Sequence, residues 1–182
     1  MALAPEYFTA DMVRAIPDDG NRYELVWGEL LVTPSPVKIH QRVVLRLAVL
    51  LDAYCARFGI GETFASPADI SWGPDTLVQP DVFVATPEEA AAPDWTSVQH
   101  LLLVAEVLSP GTARRDRFQK RKLYQAQGVA TLWLVDPARM VVEVWTPADD
   151  FPAIASGQLT WHPAGAAEPL VIELAELLRD VR

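Results

Sequence analysis

The run from His100 to Ser109 (HLLLVAEVLS) constrains the fold more than any other stretch of the chain. Between these two polar ends it is apolar apart from one acid, and it leads into Pro-Gly, a pattern typical of a strand buried on both faces in the middle of a sheet. Glu106 is therefore expected to be buried. Because burying an ionised carboxylate is costly, this residue must be protonated, paired with a base or bound to a metal ion.

Length and cysteine content indicate one domain over residues 1–182, without an intramolecular disulfide. The chain has 182 residues, a length that suits a single core, and one cysteine, Cys55. Its first residues lack the features of a secretory signal, and no apolar run approaches the roughly 20 residues needed to span a bilayer. We therefore expect a cytoplasmic location.

The charge distribution argues against a protein that coats nucleic acid nonspecifically. The formal net charge is -9, whereas phosphate binding normally needs a basic surface. However, the segment from Arg114 to Lys122 carries six of the fifteen lysines and arginines. An acidic protein with one such local patch can still bind a few phosphates.

The first part of the chain predicts a short helix, a hairpin and a long helix. Thr9 is expected to cap a helix over residues 10–16, and two strands over residues 22–27 and 29–33 meet at Gly28. Ser35-Pro36 is expected to open a helix that ends near Phe58, before Gly59. Lys38, Arg42 and Arg46 would share one face of that helix, either as a solvated surface or as a positive stripe.

The rest of the chain alternates strands with one further main helix. Strands are expected over residues 62–66, 69–72, 77–85, 131–136, 140–145, 158–162 and 170–172, with a closing helix over residues 174–178. Since Pro80 cannot donate to a ladder, its strand should begin at Asp81 or lie at an edge there. The helix over residues 114–127 should turn Asp116, Lys120 and Tyr124 to the same side.

Asp81 and Glu106 are the best candidates for a metal site. If their strands pair, the two carboxylates can converge on one ion, and Mg²⁺ is usually held by one or two carboxylates together with water and phosphate oxygens. Two acids and a lysine suit metal-dependent phosphodiester hydrolysis, in which the metal polarises the phosphate and the lysine stabilises developing charge.

Several motifs taken together resemble the Uma-two family of restriction-endonuclease-like proteins, within the PD-(D/E)XK nuclease superfamily. The resemblance runs from about residue 7 to residue 147. The motifs are Tyr23-Glu-Leu-Val-Trp-Gly-Glu-Leu30, Pro34-Ser-Pro36 with His40, Pro80-Asp81-Val82, Glu106-Val-Leu-Ser-Pro110, Asp116, Lys120, Tyr124, Gly128-Val129 and Trp133-Leu-Val-Asp-Pro137.

The resemblance implies an α/β (α+β) fold with a restriction-endonuclease-like core, in which a mixed, mainly four-stranded sheet is flanked by helices and preceded by a hairpin. It also implies that Asp81 and Glu106 bind Mg²⁺ or Mn²⁺, with Glu24 as a third acid. Leu108 occupies the usual lysine position, and the lysine maps instead onto Lys120.

The residues His40, Asp116 and Tyr124 also match the motifs and are candidates for accessory roles. The leading hypothesis is a Mg²⁺-dependent DNA endonuclease, expected to act as a homodimer. Its duplex contacts would come from Arg114, Arg115, Arg117 and Arg121. The alternative is a nuclease-like fold that binds nucleic acid or another protein without turnover. The sequence does not separate restriction from strand processing in repair or transposition.

Overall fold

The computed structural model describes residues 7–33 and 35–180, so Pro34 of the Pro-Ser-Pro motif lies outside the described residues. In chain order the described elements are α1 (Ala10–Arg14), β1 (Arg22–Val26), β2 (Glu29–Thr33), α2 (Lys38–Phe58), β3 (Glu62–Ala65), β4 (Ile70–Gly73), β5 (Thr76–Val78), β6 (Val82–Ala85), α3 (Pro87–Ala90), a 3₁₀ turn (Trp95–Ser97), β7 (Leu101–Val107), α4 (Ala113–Arg115), a π-helical turn (Asp116–Lys120), α5 (Arg121–Ala126), β8 (Leu132–Asp136), β9 (Val141–Trp145), β10 (Ala153–Ala155), β11 (Gln158–Trp161), β12 (Leu170–Glu173) and α6 (Leu174–Leu177).

The apolar strand β7 lies inside the main sheet, as its sequence predicts. Within the described ranges this sheet has six strands in the order β10-β9-β8-β7-β6-β3, and β7 runs parallel to β8 and antiparallel to β6. All residues of β7 are buried except the half-buried Leu102. The mixed sheet flanked by helices confirms the predicted fold class. It is wider than the mainly four-stranded sheet implied by the family resemblance, because it includes the edge strands β3 and β10.

The predicted hairpin forms part of a second sheet in the order β2-β1-β5-β4. Its turn has positive φ at Trp27 (49°) and Gly28 (79°), as a two-residue type I′ turn requires. A side chain at position 28 would collide with the ring of Tyr7, so glycine is needed there for space as well as for conformation. The hairpin is joined to the rest of its sheet by the pairing of β1 with β5.

The strand predicted over residues 77–85 is broken in two. β5 ends at Val78 and belongs to the second sheet, whereas β6 begins at Val82 and belongs to the main sheet. Pro80 lies in the break, where it has no amide N–H to donate to a ladder. Asp81 therefore lies where the chain passes from one sheet to the other.

The long helix α2 ends as predicted but begins later than predicted. Gly59 follows it in a left-handed conformation with φ of 64°. The helix starts at Lys38, and no side chain caps its N-terminus. The hydroxyl of Ser35, the predicted cap, instead donates to the carbonyl of Gly20 at 3.2 Å. Ser35 thus ties the segment before α2 to the loop before β1.

Helices and the small sheets cover both faces of the main sheet. One face packs against α2, α6 and the β11-β12 pair, and the other against α5 and the second sheet. The first of these cores includes Val43, Leu47, Leu51, Val84, Trp133 and Leu177, and the second includes Val26, Ile70, Val104, Leu123 and Tyr124. Among the described residues, no helix is long and apolar enough to cross a membrane.

Candidate active site between the two sheets

Asp81 and Glu106 lie opposite each other at one end of β6 and β7. The antiparallel register pairs Val82 with Ala105, so Asp81, which directly precedes β6, lies opposite Glu106. Asp81 is 3% exposed and Glu106 is 1% exposed. The pairing of β6 with β7 in one sheet is as the sequence prediction required, and that the two acids share an ion stays a prediction.

The carboxylate of Asp81 is held by three donors from three parts of the chain. Its Oδ2 accepts from the backbone N–H of Val107 at 2.9 Å and lies 2.9 Å from Nε2 of His40, and its Oδ1 accepts from Arg22 at 3.1 Å. Burial acts to raise the pKa of Asp81, but the contact with His40 and the nearby guanidinium of Arg22 outweigh it and lower the pKa to about 2. Asp81 is therefore an anion throughout the physiological range.

The carboxyl of Glu106 has a different environment. Oε1 lies 2.6 Å from Nζ of Lys120 and accepts a hydrogen bond of 2.5 Å from the hydroxyl of Tyr124. Complete burial nevertheless raises the pKa of Glu106 to about 8, against the opposing effect of Lys120 and with a further increase from the neighbouring Asp81. Glu106 therefore holds a proton more readily than an ordinary glutamic acid.

Lys120 lies between two acids deep in the protein. It is 1% exposed, and its Nζ lies 2.8 Å from Glu24 and 2.6 Å from Glu106. Burial acts to lower the pKa of Lys120, but the charges of Glu106 and Glu24 raise it above the ordinary value. The ammonium thus stays charged and can donate hydrogen bonds, but it is unsuited to act as a base. The oxygen of Glu24 that contacts Lys120, Oε1, also accepts from the backbone N–H of Gln79 at 2.9 Å.

The helix after β7 turns three side chains inward, as its spacing predicts. Asp116, Lys120 and Tyr124 are all buried. Asp116 and Lys120 are the first and last residues of a π-helical turn, in which the N–H of Arg121 donates to the carbonyl of Asp116. Burial raises the pKa of Asp116. Turns of this kind occur often at functional sites, where the extra residue re-aims side chains.

The position at which the nuclease motif usually has its lysine is occupied by a buried leucine in this chain. Leu108 is buried among apolar side chains of the second core. An ammonium at that position would lose hydration without an acid partner in the apolar cluster. Lys120 instead reaches the acids from the helix.

A cleft of about 760 Å³ opens onto one side of the acid cluster. Where the cleft meets the acid cluster, its wall includes the titratable residues Arg22, His40, Asp81, Glu106 and Asp116. Lys120, Glu24 and Tyr124 lie behind this wall, on the protein side of the acids. A ligand in the cleft would therefore approach Asp81 and Glu106 directly, whereas Lys120 would act on it through Glu106.

The charges and donor atoms of the site fit a divalent cation. Four buried acids, Glu24, Asp81, Glu106 and Asp116, lie around the two fixed cations Arg22 and Lys120, so carboxyl groups outnumber fixed cations in the site. Carboxylate oxygens are preferred ligands of Mg²⁺. No group of three or more His, Cys, Asp or Glu in the described residues is arranged to hold a metal. Any ion shared by Asp81 and Glu106 would need further ligands from water or substrate.

Sequence reasoning missed Arg22. Its guanidinium contacts Asp81 at 3.1 Å and lies 3.8 Å from Glu24. The pKa of Arg22 is raised, because burial is outweighed by Glu24, Asp81 and Glu106. A signal was present, since residues two apart in a strand share one face and Arg22 therefore points the same way as Glu24.

Two of the four arginines assigned to DNA, Arg117 and Arg121, contact the helix itself and the strands beneath it. Arg117 binds Glu143 at 2.6 Å and Asp136 at 2.7 Å, and both acids are buried. Arg121 donates to the carbonyl of Arg117 and lies 4.3 Å from the ring centre of Trp145. These two residues stabilise the helix against β8 and β9, and their contact with DNA stays a prediction. Arg114 is exposed and Arg115 is half-buried.

The predicted basic stripe on α2 is also largely committed to the fold. Arg42 donates to the carbonyl of Asp180 at 2.6 Å, and Arg46 donates to the carbonyls of Leu177 and Arg179. These carbonyls lie at and beyond the C-terminal end of α6, where cations are favoured. Arg42 and Arg46 therefore anchor the segment around the last helix, whereas Lys38 is exposed.

Comparisons with known proteins agree with this architecture. Residues 9–175 match the model of a family, Uma2, described as "Putative restriction endonuclease". The fold is similar to a crystal structure from Anabaena variabilis described as "a putative nuclease belonging to DUF820", with a TM-score of 0.80 and 19% identity over 96% of this chain and 99% of that chain. A search of curated proteins found no match.

Proposed function

Because the chain belongs to the Uma2 family, we propose that it is a Mg²⁺-dependent endodeoxyribonuclease, a hydrolase that cleaves phosphodiester bonds of DNA. The observation that carries the proposal is the pair Asp81 and Glu106, opposite each other on neighbouring strands with both residues in the wall of the cleft. Two carboxylates, water and a phosphate oxygen make up a usual Mg²⁺ ligand set.

Asp81 and Glu106 are the proposed ligands of Mg²⁺ or Mn²⁺. A divalent cation held there would polarise the scissile phosphate and favour attack by water. Asp81 is suited to this because its pKa of about 2 keeps it ionised. Glu106 must lose its proton to bind a cation, and the fixed charge of Lys120 at 2.6 Å favours that loss.

Residues around the two ligands would orient them and meet the substrate. His40 holds Asp81 from the cleft side, whereas Lys120 and Tyr124 hold Glu106 from behind. Glu24 holds Lys120 in place and so acts on Glu106 only indirectly, through Lys120. Arg22 lines the cleft and carries a fixed positive charge next to Asp81, a suitable position for stabilising charge on a bound phosphate.

Cleavage of supercoiled plasmid in Mg²⁺ tests the proposal. We expect Glu106→Gln and Asp81→Asn to lower the rate by at least about a hundredfold, because even partners that only orient metal ligands are commonly worth about 10- to 100-fold. EDTA should abolish cleavage by the wild type. Both substitutions keep side-chain volume, so their unfolding curves will show whether the fold is retained.

Glu168→Gln is the matched control, since Glu168 is an exposed acid on the surface paired with Arg57. This variant should cleave at the wild-type rate. Cleavage that survives in Glu106→Gln, or that is lost equally in the surface control, would contradict the proposed site.

A second candidate function is a nuclease-fold module that binds nucleic acid or protein without turnover. It is favoured by one observation: Asp81 and Glu106 already have cationic neighbours, Arg22 and Lys120, at 3.1 and 2.6 Å. In this case wild-type protein would bind its partner but leave plasmid intact at every Mg²⁺ and Mn²⁺ concentration.

A further inference from the structure

One large aromatic side chain near the site is exposed within a basic surface. Phe118 is 58% exposed on the helix that carries Asp116 and Lys120. Together with Arg114, Arg115 and Gln119 it lines a shallow concavity of about 600 Å³. We call these four residues the Phe118 patch.

The inward side chains of the helix explain the exposure of Phe118 but not its chemistry. Asp116 and Lys120 point into the site, so the residue midway between them in the turn points outward. Phenylalanine is a weaker helix former than leucine, lysine or glutamine, and an exposed ring gains little by burial. The fold therefore gives no reason for an aromatic residue at this position.

Two contacts hold the patch in place against the hairpin. Arg115 donates to the carbonyl of Val32 at 2.8 Å, and Gln119 donates to the carboxylate of Glu29 at 2.6 Å. Both partners belong to β2. The outer face of the helix is thus fixed before any ligand binds, which reduces the entropy lost on binding.

Residues that line the cleft are close in sequence to the Phe118 patch and to its contacts. On the hairpin side, Thr33 lines the cleft and directly follows Val32, whose carbonyl binds Arg115. On the helix side, Thr112 and Asp116 line the cleft within a few residues of Phe118. A strand that leaves the cleft past Thr112 would then pass the beginning of the helix that carries the patch.

An exposed ring next to two guanidinium groups suits one kind of ligand. Unpaired bases stack on aromatic side chains, and arginines bind the adjoining phosphates. We infer that the Phe118 patch is a stacking platform for an unpaired base of DNA whose backbone passes through the cleft. This inference rests on the proposed function for its partner but not on turnover. A fully paired duplex presents its phosphates to the patch but no free base face.

Binding to fluorescent oligonucleotides in EDTA tests the inference without requiring catalysis. The probes are a single strand and a matched duplex, each labelled at one end, and a single strand that contains 2-aminopurine, whose fluorescence reports stacking. Since stacking of one base is worth roughly a five- to 150-fold change in affinity, Phe118→Ala should weaken single-strand binding by at least about fivefold. It should also remove the change in 2-aminopurine fluorescence and leave duplex binding nearly unchanged.

Two variants control the measurement. Phe151→Ala removes another exposed phenylalanine, 85% exposed and outside both the patch and the cleft wall, and should bind like the wild type. Phe118→Trp keeps a flat ring and should retain both the affinity and the fluorescence change. Arg114→Ala should weaken binding of both probes and reduce the slope of log affinity against log salt by about one.

Several outcomes would overturn the inference. Equal loss of single-strand and duplex binding in Phe118→Ala, no loss at all, or no binding of either probe by the wild type would each do so. A lower molar mass of Phe118→Ala in solution, with unchanged affinity, would instead identify the patch as an interface between copies of the chain. The two proposals can also fail separately. If Phe118→Ala loses single-strand binding and the wild type does not cleave plasmid, the platform is supported and the nuclease is rejected.

Discussion

Asp81 and Glu106 are neighbours across one pair of strands, yet their surroundings are opposite. Asp81 receives a backbone N–H, an imidazole and a guanidinium, and its pKa is lowered to about 2. Glu106 has Lys120 and a tyrosine hydroxyl on one oxygen, and burial raises its pKa to about 8. One acid is a permanent anion, and the other changes its charge near neutral pH.

The difference follows from where each residue lies along its strand. Asp81 occupies the break between β5 and β6, where donors from β1, α2 and the end of β7 reach it. Glu106 lies within β7, and its partners must come from the helix behind the sheet. The comparison indicates that adjacent positions in a sheet can supply a fixed charge and an adjustable charge for the same ligand.

The largest expected effect is on the Glu106 side of the comparison. Lys120→Met should lower the free energy of unfolding by about 3 to 5 kcal/mol, because it leaves two buried acids without their shared cation. Urea denaturation measures this change. Adding Glu106→Gln to Lys120→Met should recover part of the loss, since one of the unpaired acids is then gone.

Lys122→Met is the matched control for Lys120→Met. Lys122 is an exposed lysine on the same helix, and its substitution should change stability by less than about 0.5 kcal/mol. Equal effects of the two lysine substitutions would show that Lys120 is not the buried counter-ion of Glu24 and Glu106.

A smaller effect is expected on the Asp81 side. His40→Ala should lower the free energy of unfolding by about 1 to 3 kcal/mol, because Asp81 loses one partner but keeps Val107 and Arg22. His40→Gln, whose side-chain amide can donate, should recover part of this loss. If His40→Ala lowers the free energy of unfolding as much as Lys120→Met does, the proposed difference between the surroundings of the two acids is wrong.

The dependence of stability on pH should separate the two acids. The folded state binds the proton of Glu106 more tightly than the unfolded state does, so this residue should make stability fall as pH rises from about 4.5 to 8. The slope for one group is at most about 1.4 kcal/mol per pH unit. Asp81 acts in the opposite sense, because its contribution is present above pH 3.8 and is lost as pH falls toward 2.

Unfolding measured across pH in metal-free buffer checks both signs. Glu106→Gln should flatten the decline between pH 4.5 and 8, and Asp81→Asn should flatten only the acid limb. If stability falls between pH 4.5 and 8 with the same slope in wild type and Glu106→Gln, another group titrates in that range.

Much of the fold and part of the site follow from local sequence patterns. The apolar run around Glu106 identifies the inner strand, and Pro80 marks the break that positions Asp81. Helical spacing places Lys120 and Tyr124 on the inward face. These features depend on period, turn chemistry and burial, all of which a single segment encodes.

The remaining features depend on contacts between distant segments. Arg117 lies in a basic run, but its partners Asp136 and Glu143 belong to β8 and β9, so a local pattern cannot distinguish it from an exposed arginine. Arg46 is paired with carbonyls more than 130 residues away. The raised pKa of Glu106 likewise reflects how completely the fold removes water.

Calorimetric titration of the metal-free protein with Mn²⁺ at pH 7, in two buffers of different ionisation enthalpy, tests the central claim most directly. If Asp81 and Glu106 share the cation, wild type should bind with release of close to one proton per ion, because Glu106 must give up its proton. Glu106→Gln should release none, and Asp81→Asn should bind far more weakly. Binding by wild type without proton release, or equal binding by all three proteins, would contradict the account.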